Sequence, residues 1–179
     1  RQFRKQGMTI MTNAEVTSVD TTGNGVKAKV KTQAGEEILE ADILLSAVGV
    51  VANIENIGLE ALGIKTDKGK ILVNAFGQTN IPGIYAIGDV AGPPMLAHKG
   101  SREGAVVAER IAGHKPHAIR YDNIPSVTYC HPEVASIGLT EEQCKEKKLD
   151  YQVGRFPFSA NGRARASNET EGFVKIIRD

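Results

Sequence analysis

An apolar run that ends in Gly88-Asp89 and precedes a long helix constrains the fold of this chain more than any other feature. Residues 84–87, Ile-Tyr-Ala-Ile, predict a buried strand, and a helix is expected at residues 95–112, before Gly113 and Pro116. A carboxylate that follows such a strand lies at the carboxyl edge of a sheet, where α/β folds bind their ligands. The sequence therefore predicts a ligand site on an α/β scaffold.

The residue types at this turn favour a flavin as the ligand. Gly88 allows a close approach of the backbone, and Asp89 can accept hydrogen bonds from a polyol or a ribose. The free N–H groups at the start of the helix suit an anion or a polarised carbonyl. A flavin needs both, because its ribityl hydroxyls must be held and its reduced ring needs positive potential beside N1 and O2. Taken singly, Asp89 can also be a turn residue and the helix a plain core helix.

One face of the predicted helix is rich in small residues and is expected to pack closely on a sheet or a flat ligand. Its members are Ala97, Gly100, Ser101, Gly104, Ala108 and Ile111.

The segment before this motif predicts a three-stranded meander. Residues 14–20 form the first strand, and residues 26–32 alternate apolar and lysine side chains with a period of two, as a half-buried strand does. The third strand, residues 38–48, has the apolar centre Ile-Leu-Leu and is expected to enter a deep core. A short helix at residues 54–62, ended by Gly63, and a strand at residues 70–74 complete the region.

The segment after the motif predicts four further strands and a capped helix. The strands are residues 126–130, 134–138, 151–158 and 172–178. Thr140 and Gln143 form a capping box, with Leu139 and Cys144 placed as its hydrophobic staple. Cys144 is therefore expected to pack rather than react. The His131-Pro132-Glu133 corner is a poor ligand set for a metal and is expected to be structural, so no metal site is predicted.

Composition narrows the function classes. The chain has 41% hydrophobic and 24% charged residues and a net charge of +1, so neither nucleic acid nor an anionic membrane is an expected partner. The first residues show no signal peptide, and both ends are expected to be internal to a longer protein. Two cysteines without metal or CxxC spacing indicate a reducing compartment, and the expected location is the cytoplasm of a bacterium.

The motif resembles a known family. The run TNIPGIYAIGDVAGPPMLAHKGSREG, residues 79–104, is similar to the second flavin-binding motif of the pyridine nucleotide-disulfide oxidoreductases. Its Met-Leu-Ala-His run resembles the dihydrolipoamide dehydrogenase branch. The stretches SVTYCHPEVASIGLTEEQ and FPFSANGRARA resemble the opening of the dimer-interface domain in that family.

The resemblance implies a fold made of α/β and mixed α+β pieces. Residues 1–45 would be the β-meander that ends an NAD-binding domain, and residues 46–118 the C-terminal segment of an FAD-binding domain. Residues 119–179 would be the first part of the α+β dimerisation domain. These boundaries are predictions from the family pattern.

The resemblance also implies cofactor-binding residues. Gly88 and Asp89 would hold the ribityl chain of FAD, and Met95, Leu96, Ala97 and His98 would present helix-end backbone to its ring. The backbone at Val16 would lie near the adenine half of NAD, and Gly49 would lie against the nicotinamide, or else form a plain tight turn. Many relatives carry Gly-Arg after this strand, whereas Val50 and Val51 follow Gly49 here, so a contact by that arginine is missing.

The implied parent protein is a homodimer that oxidises protein-bound dihydrolipoamide, passing electrons through a disulfide and FAD to NAD. Its partners would be the lipoyl domains of 2-oxo acid dehydrogenase complexes or of the glycine cleavage system. This sequence contains no GxGxxG fingerprint and no two cysteines separated by four residues. We therefore expect no catalytic residue in it, and no activity from this segment alone.

Two other interpretations stay open from the sequence. One is another disulfide reductase of the same family, of the glutathione or mercuric reductase type, and the other is a non-catalytic, self-associating module. Size-exclusion chromatography combined with a flavin titration separates these cases.

Overall fold

The computed structural model describes residues 1–178, so Asp179, the last residue of the predicted third domain, lies outside the described residues. The chain divides into two compact units, Arg1–Val50 and Val51–Asp179.

The first unit is built on an antiparallel meander. A short helix, α1 (Gln2–Lys5), precedes strands β1 (Glu15–Asp20), β2 (Val26–Thr32) and β3 (Gly35–Ala41), which pair in the order β1-β2-β3. The period of two in β2 has the predicted effect, since its alternate side chains Ala28 and Val30 are only 6% and 4% exposed. The three-stranded meander is thus confirmed.

The predicted extension of the third strand into a core is wrong. Strand β3 ends at Ala41, and the apolar side chains that follow are exposed, by 83% at Ile43, 86% at Leu45 and 95% at Val48. A buried strand needs neighbours on both edges and both faces. Within residues 1–178 no strand pairs with residues 42–48, so their apolar character alone cannot bury them.

The second unit begins with turns around a small core rather than with the predicted helix. Residues 54–62 form no helix, because Asn56 and Gly58 adopt positive φ angles of 58° and 83°, which interrupt helical backbone. The predicted end at Gly63 is correct. The N–H of Ile64 donates to Leu59 O and that of Gly63 to Glu60 O, the paired bonds of a Schellman motif.

The two strands predicted next to the motif are shorter than expected. Strand β5 (Lys70–Ile71) pairs with β4 (Thr66–Asp67), and residues 84–87 form only a single bridge, between Tyr85 and Gln78. Ala86 is buried in a cluster with Leu59, Ile64 and Ile71. The prediction of a buried strand at residues 84–87 is therefore wrong. Among the described residues only Gln78 forms a β-bridge with this segment, and no sheet forms there.

The strands and helices predicted for the rest of the second unit are present with shorter limits, and helix α4 is present where no helix was predicted. Helix α2 (Ala97–Ile111) is followed by a β6–β7 hairpin, helix α3, strand β8, helix α4 and strand β9, which pairs with β8. Strand β6 spans Ser126–Thr128, β7 Val134–Ser136, helix α3 Glu141–Glu146, strand β8 Gln152–Pro157, helix α4 Gly162–Ala166 and strand β9 Phe173–Arg178. The capping box at Thr140 is present in both directions, and Cys144 is buried. None of the helices in residues 1–178 is both long and apolar enough to cross a membrane.

Candidate functional site

The Gly88-Asp89 segment forms one tight turn. Residues Gly88–Ala91 make a 3-10 helix between two glycines with positive φ angles, 72° at Gly88 and 101° at Gly92. A Cβ atom added at Gly88 would meet nothing within 4 Å. The backbone therefore presents an open surface at a position where only glycine is unstrained.

A buried ion pair on helix α2 holds this turn. Lys99 and Glu103 are 1% and 4% exposed, and Lys99 Nζ lies 3.3 Å from Glu103 Oε1. The ammonium donates to the carbonyls of Gly88 and Gly92, each at 2.8 Å, and Glu103 Oε2 accepts from the N–H of Gly88 at 2.6 Å. Both ends of the turn are thus bonded to charged groups, which make stronger hydrogen bonds than neutral ones.

This pair is not among the residues predicted from the sequence, although its spacing carries a signal. The buried residues of the helix are Lys99, Glu103, Val106 and Val107, spaced at i, i+4, i+7 and i+8. That spacing is the signal that could have found the pair. Ala97, Ser101, Ala108 and Ile111 of the predicted face are instead exposed.

The two glycines of the predicted face do make the expected close approach. A Cβ atom added at Gly100 would lie 3.1 Å from Gly88 Cα, and one added at Gly104 would lie 3.3 Å from Ile87 Cδ1. The missing side chains let α2 lie directly against the end of the apolar run and the start of the turn.

The predicted flavin ligands lie at the open side of this arrangement. Asp89 is exposed, and in the described part of the chain its carboxylate has no hydrogen-bond or ion-pair partner. Met95 and Leu96 are half-buried, and Leu96 is the N-cap of α2 but supplies no side-chain cap. The first N–H groups of the helix therefore remain available to a ligand. A carboxylate without a partner, an uncapped helix start and an open glycine suit a group that carries both hydroxyls and a polarised carbonyl or negative charge.

The His98 side chain makes a contact in addition to the backbone role predicted for this residue. Its Nε2 lies 2.8 Å from the carbonyl oxygen of Pro125, which can only accept, so the ring donates this bond. The imidazole thereby joins the start of α2 to the segment before β6.

Tyr121 extends the buried pair toward the same segment. Its hydroxyl donates to Glu103 Oε1 at 2.8 Å. Partial burial, the hydrogen bond to Glu103 and the charge of that carboxylate raise the pKa of Tyr121 from 10.0 to about 12.

This raised pKa predicts a specific loss of stability in alkali. A folded-state pKa above the unfolded value contributes stability that is complete below pH 10 and disappears as the pH rises from 10 to about 12. We expect the full-length protein to unfold at a higher temperature than its Tyr121→Phe variant at neutral pH. The difference between their thermal midpoints should shrink across that window. A difference that stays constant up to pH 12 would contradict the assignment.

The two residues predicted to face NAD lie in the first unit. Val16 is in β1, is 55% exposed and pairs with Val30 beside a register shift between Val16 and Ser18. Gly49 has a φ of 108°, and a Cβ atom added there would meet nothing within 4 Å. Both positions are accessible, and Gly49 needs glycine for its backbone conformation alone.

Neither cysteine forms a disulfide, and no metal cluster is present in the part of the chain that the structure describes. Cys130 is half-buried and Cys144 is buried, both as free thiols. Residues 1–178 contain no group of three or more histidine, cysteine, aspartate or glutamate side chains able to hold a metal ion.

Two family descriptions match this chain. "Pyridine nucleotide-disulphide oxidoreductase" matches residues 1–104, and the dimerisation domain of the same name matches residues 124–179.

Individual proteins match over the whole chain. It is 51% identical to a dihydrolipoyl dehydrogenase of Rhizobium etli and 48% identical to a mitochondrial dihydrolipoyl dehydrogenase of Pisum sativum, covering 100% of this chain in both. This chain spans 38% and 36% of the length of those relatives. A crystal structure of LpdA from Mycobacterium tuberculosis aligns with a TM-score of 0.89 at 29% identity, covering 98% of this chain and 38% of that one. A flavoprotein disulfide reductase induced by HOCl in Escherichia coli, RclA, aligns with a TM-score of 0.86 at 29% identity, covering 99% and 40%.

Proposed function

We propose that this chain, which belongs to the pyridine nucleotide-disulphide oxidoreductase family, is part of a dihydrolipoyl dehydrogenase. The observation that carries the proposal is the 51% identity to a dihydrolipoyl dehydrogenase over all residues of this chain. The parent enzyme would oxidise protein-bound dihydrolipoamide to lipoamide with FAD and NAD as cofactors. Because the chain spans 38% of that relative, its own contribution is a part of the cofactor-binding surface.

The turn and the start of α2 would bind FAD. The partnerless carboxylate of Asp89 can accept hydrogen bonds from ribityl hydroxyls, and Gly88 leaves room for the cofactor to approach its backbone. The residues Met95, Leu96, Ala97 and His98 surround the uncapped N–H groups at the helix start, whose positive end stabilises negative charge on a reduced ring. When bound, FAD supplies the two-electron chemistry that links a dithiol to NAD.

The first unit would bind NAD. Support comes from the exposure of Val16 on the bulged strand β1 and from the open, positive-φ backbone at Gly49. No residue of this chain is proposed as catalytic, because the sequence holds no pair of cysteines separated by four residues to form a redox disulfide.

The proposed assembly is a homodimer formed through the domain to which residues 124–179 belong. Lipoyl domains of a 2-oxo acid dehydrogenase complex or of the glycine cleavage system are the proposed partners. The proposed location is the cytoplasm of a bacterium, on the strength of the bacterial relative at 51% identity.

The test is a substrate comparison with the full-length protein. We expect reduction of NAD by dihydrolipoamide, measured as NADH absorbance, and little NADPH oxidation with glutathione disulfide or mercuric ion. Faster turnover of either of the latter substrates would move the protein to another branch of the family. A full-length protein that purifies without flavin and oxidises no dithiol would overturn the proposal.

A further inference from the structure

The buried pair Lys99–Glu103 has a role that packing alone does not explain. Burying two charges is unfavourable unless they are paired and bonded to further polar groups, and apolar residues of the same size are often as stable or more so. Here the further bonds all go to one place, the backbone of residues 88–92, apart from the bond from Tyr121. The pair therefore specifies the conformation of the turn.

The bonds determine the orientation of two peptide groups next to Asp89. Glu103 binds the N–H of Gly88, and Lys99 binds the carbonyl of Gly88, which belongs to the peptide bond with Asp89. Rotation of either peptide would break a charge-assisted bond in a site that excludes water. The direction of the Asp89 Cα–Cβ bond follows from the same backbone.

We propose that Lys99 and Glu103 are positioning residues that preorganise the Gly88-Asp89 turn for the ribityl chain of FAD. The inference rests on the proposed function, because it requires that FAD binds at this turn. Neither side chain reaches the ligand, since both are almost fully buried. They act by holding the backbone before the cofactor arrives, which removes an ordering penalty from binding.

The test uses two double variants of the full-length protein that differ at one group. Lys99→Met/Glu103→Leu and Lys99→Met/Glu103→Gln both remove the two charges and keep similar side-chain volumes. Only glutamine keeps an oxygen that can accept the N–H of Gly88. Removing both partners together avoids a lone buried charge, so both variants should fold. Arg102→Met/Glu109→Gln, on the exposed part of the same helix, is the control.

The readouts are the dissociation constant of FAD for the apoprotein, the thermal midpoint of the apoprotein and the visible circular dichroism of the flavin at saturation. We expect the leucine variant to bind FAD about tenfold more weakly than the glutamine variant, a difference equivalent to one hydrogen bond to a charged or buried group. The visible circular dichroism of the flavin bound to the leucine variant should also differ from that in the wild type, even when every FAD site is filled. The control should match the wild type in all three.

Each outcome has a separate meaning. FAD affinities that agree within about twofold between the leucine and glutamine variants would overturn the positioning role while leaving FAD binding by the wild type intact. A weaker affinity with an unchanged flavin spectrum at saturation would reduce the pair to a structural role and also overturn it. A wild-type protein that takes up no FAD would overturn the proposed function, and the inference with it.

Discussion

Replacing Gly77 by alanine is expected to destabilise the second unit by about 2–4 kcal/mol, from a backbone strain of about 1 kcal/mol and an overpacking penalty of about 1–3 kcal/mol. Gly77 has a φ of 72°, and an added Cβ atom would lie 2.7 Å from Val107 Cγ2 and 3.3 Å from Ala86 O. Val107 is buried on α2, and the carbonyl of Gly77 accepts the N–H of Ala86. The new methyl group would therefore push α2 away from the segment that leads into the turn.

Gly83→Ala is the matched control for this prediction. Gly83 has a similar φ of 80°, but an added Cβ atom there meets nothing within 4 Å. Its effect should be limited to the backbone strain of about 1 kcal/mol. The measurement is the thermal midpoint of each full-length variant together with amide hydrogen exchange at Ala86. Equal losses in the two variants would mean that the contact with Val107 is relieved without strain.

Replacing Glu103 by glutamine is expected to destabilise the turn by about 3 kcal/mol, the lower end of the range for removing one partner of a buried ion pair. Lys99, 1% exposed, would then be buried without the carboxylate that pairs with it. The local consequence falls on the N–H of Gly88, which donates to Glu103 Oε2. A loss of about 3 kcal/mol corresponds to roughly hundredfold faster hydrogen exchange of this amide.

Hydrogen exchange of the Gly88 amide is the appropriate measurement because it reports the local opening of this turn, whereas a thermal midpoint reports the protein as a whole. Glu109→Gln removes the same charge from an exposed position of α2 and should leave the exchange of Gly88 unchanged. Adding Lys99→Met to Glu103→Gln should recover part of the loss, because no charge then remains buried. An unchanged Gly88 amide in Glu103→Gln would show that the pair does not hold the turn.

The sequence predicted well those elements whose cause is local. The alternation in β2, the capping box at Thr140 and the stop of α2 before Gly113 depend on residues within a few positions of one another. For the same reason Gly63 was correctly assigned as an end, although hydrogen-bonded turns stand in place of the predicted helix before it. The residue types at Gly88 and Asp89 also indicated the flavin chemistry, which remains a proposal.

The predictions that failed depended on distant partners. Residues 43–48 and 84–87 have the apolar composition of core strands, but a strand forms only where another strand offers hydrogen bonds along its edge. Burial of Ile43 or Leu45 is likewise a property of the surface that covers them, not of their own side chains.

By itself, then, this sequence determined the hairpins, the caps, the long helix and the carboxylate that follows the apolar run, because each depends on spacing along the chain. Only the tertiary structure decided which face of α2 is buried and what that face does. Lys99 and Glu103 look solvated in sequence, and they are buried because Gly100 and Gly104 let the helix approach the turn at Gly88 closely enough for both charges to reach its backbone. The physical reason is that the free energy of a buried charge depends on the partners that surround it in space, whatever their separation along the chain.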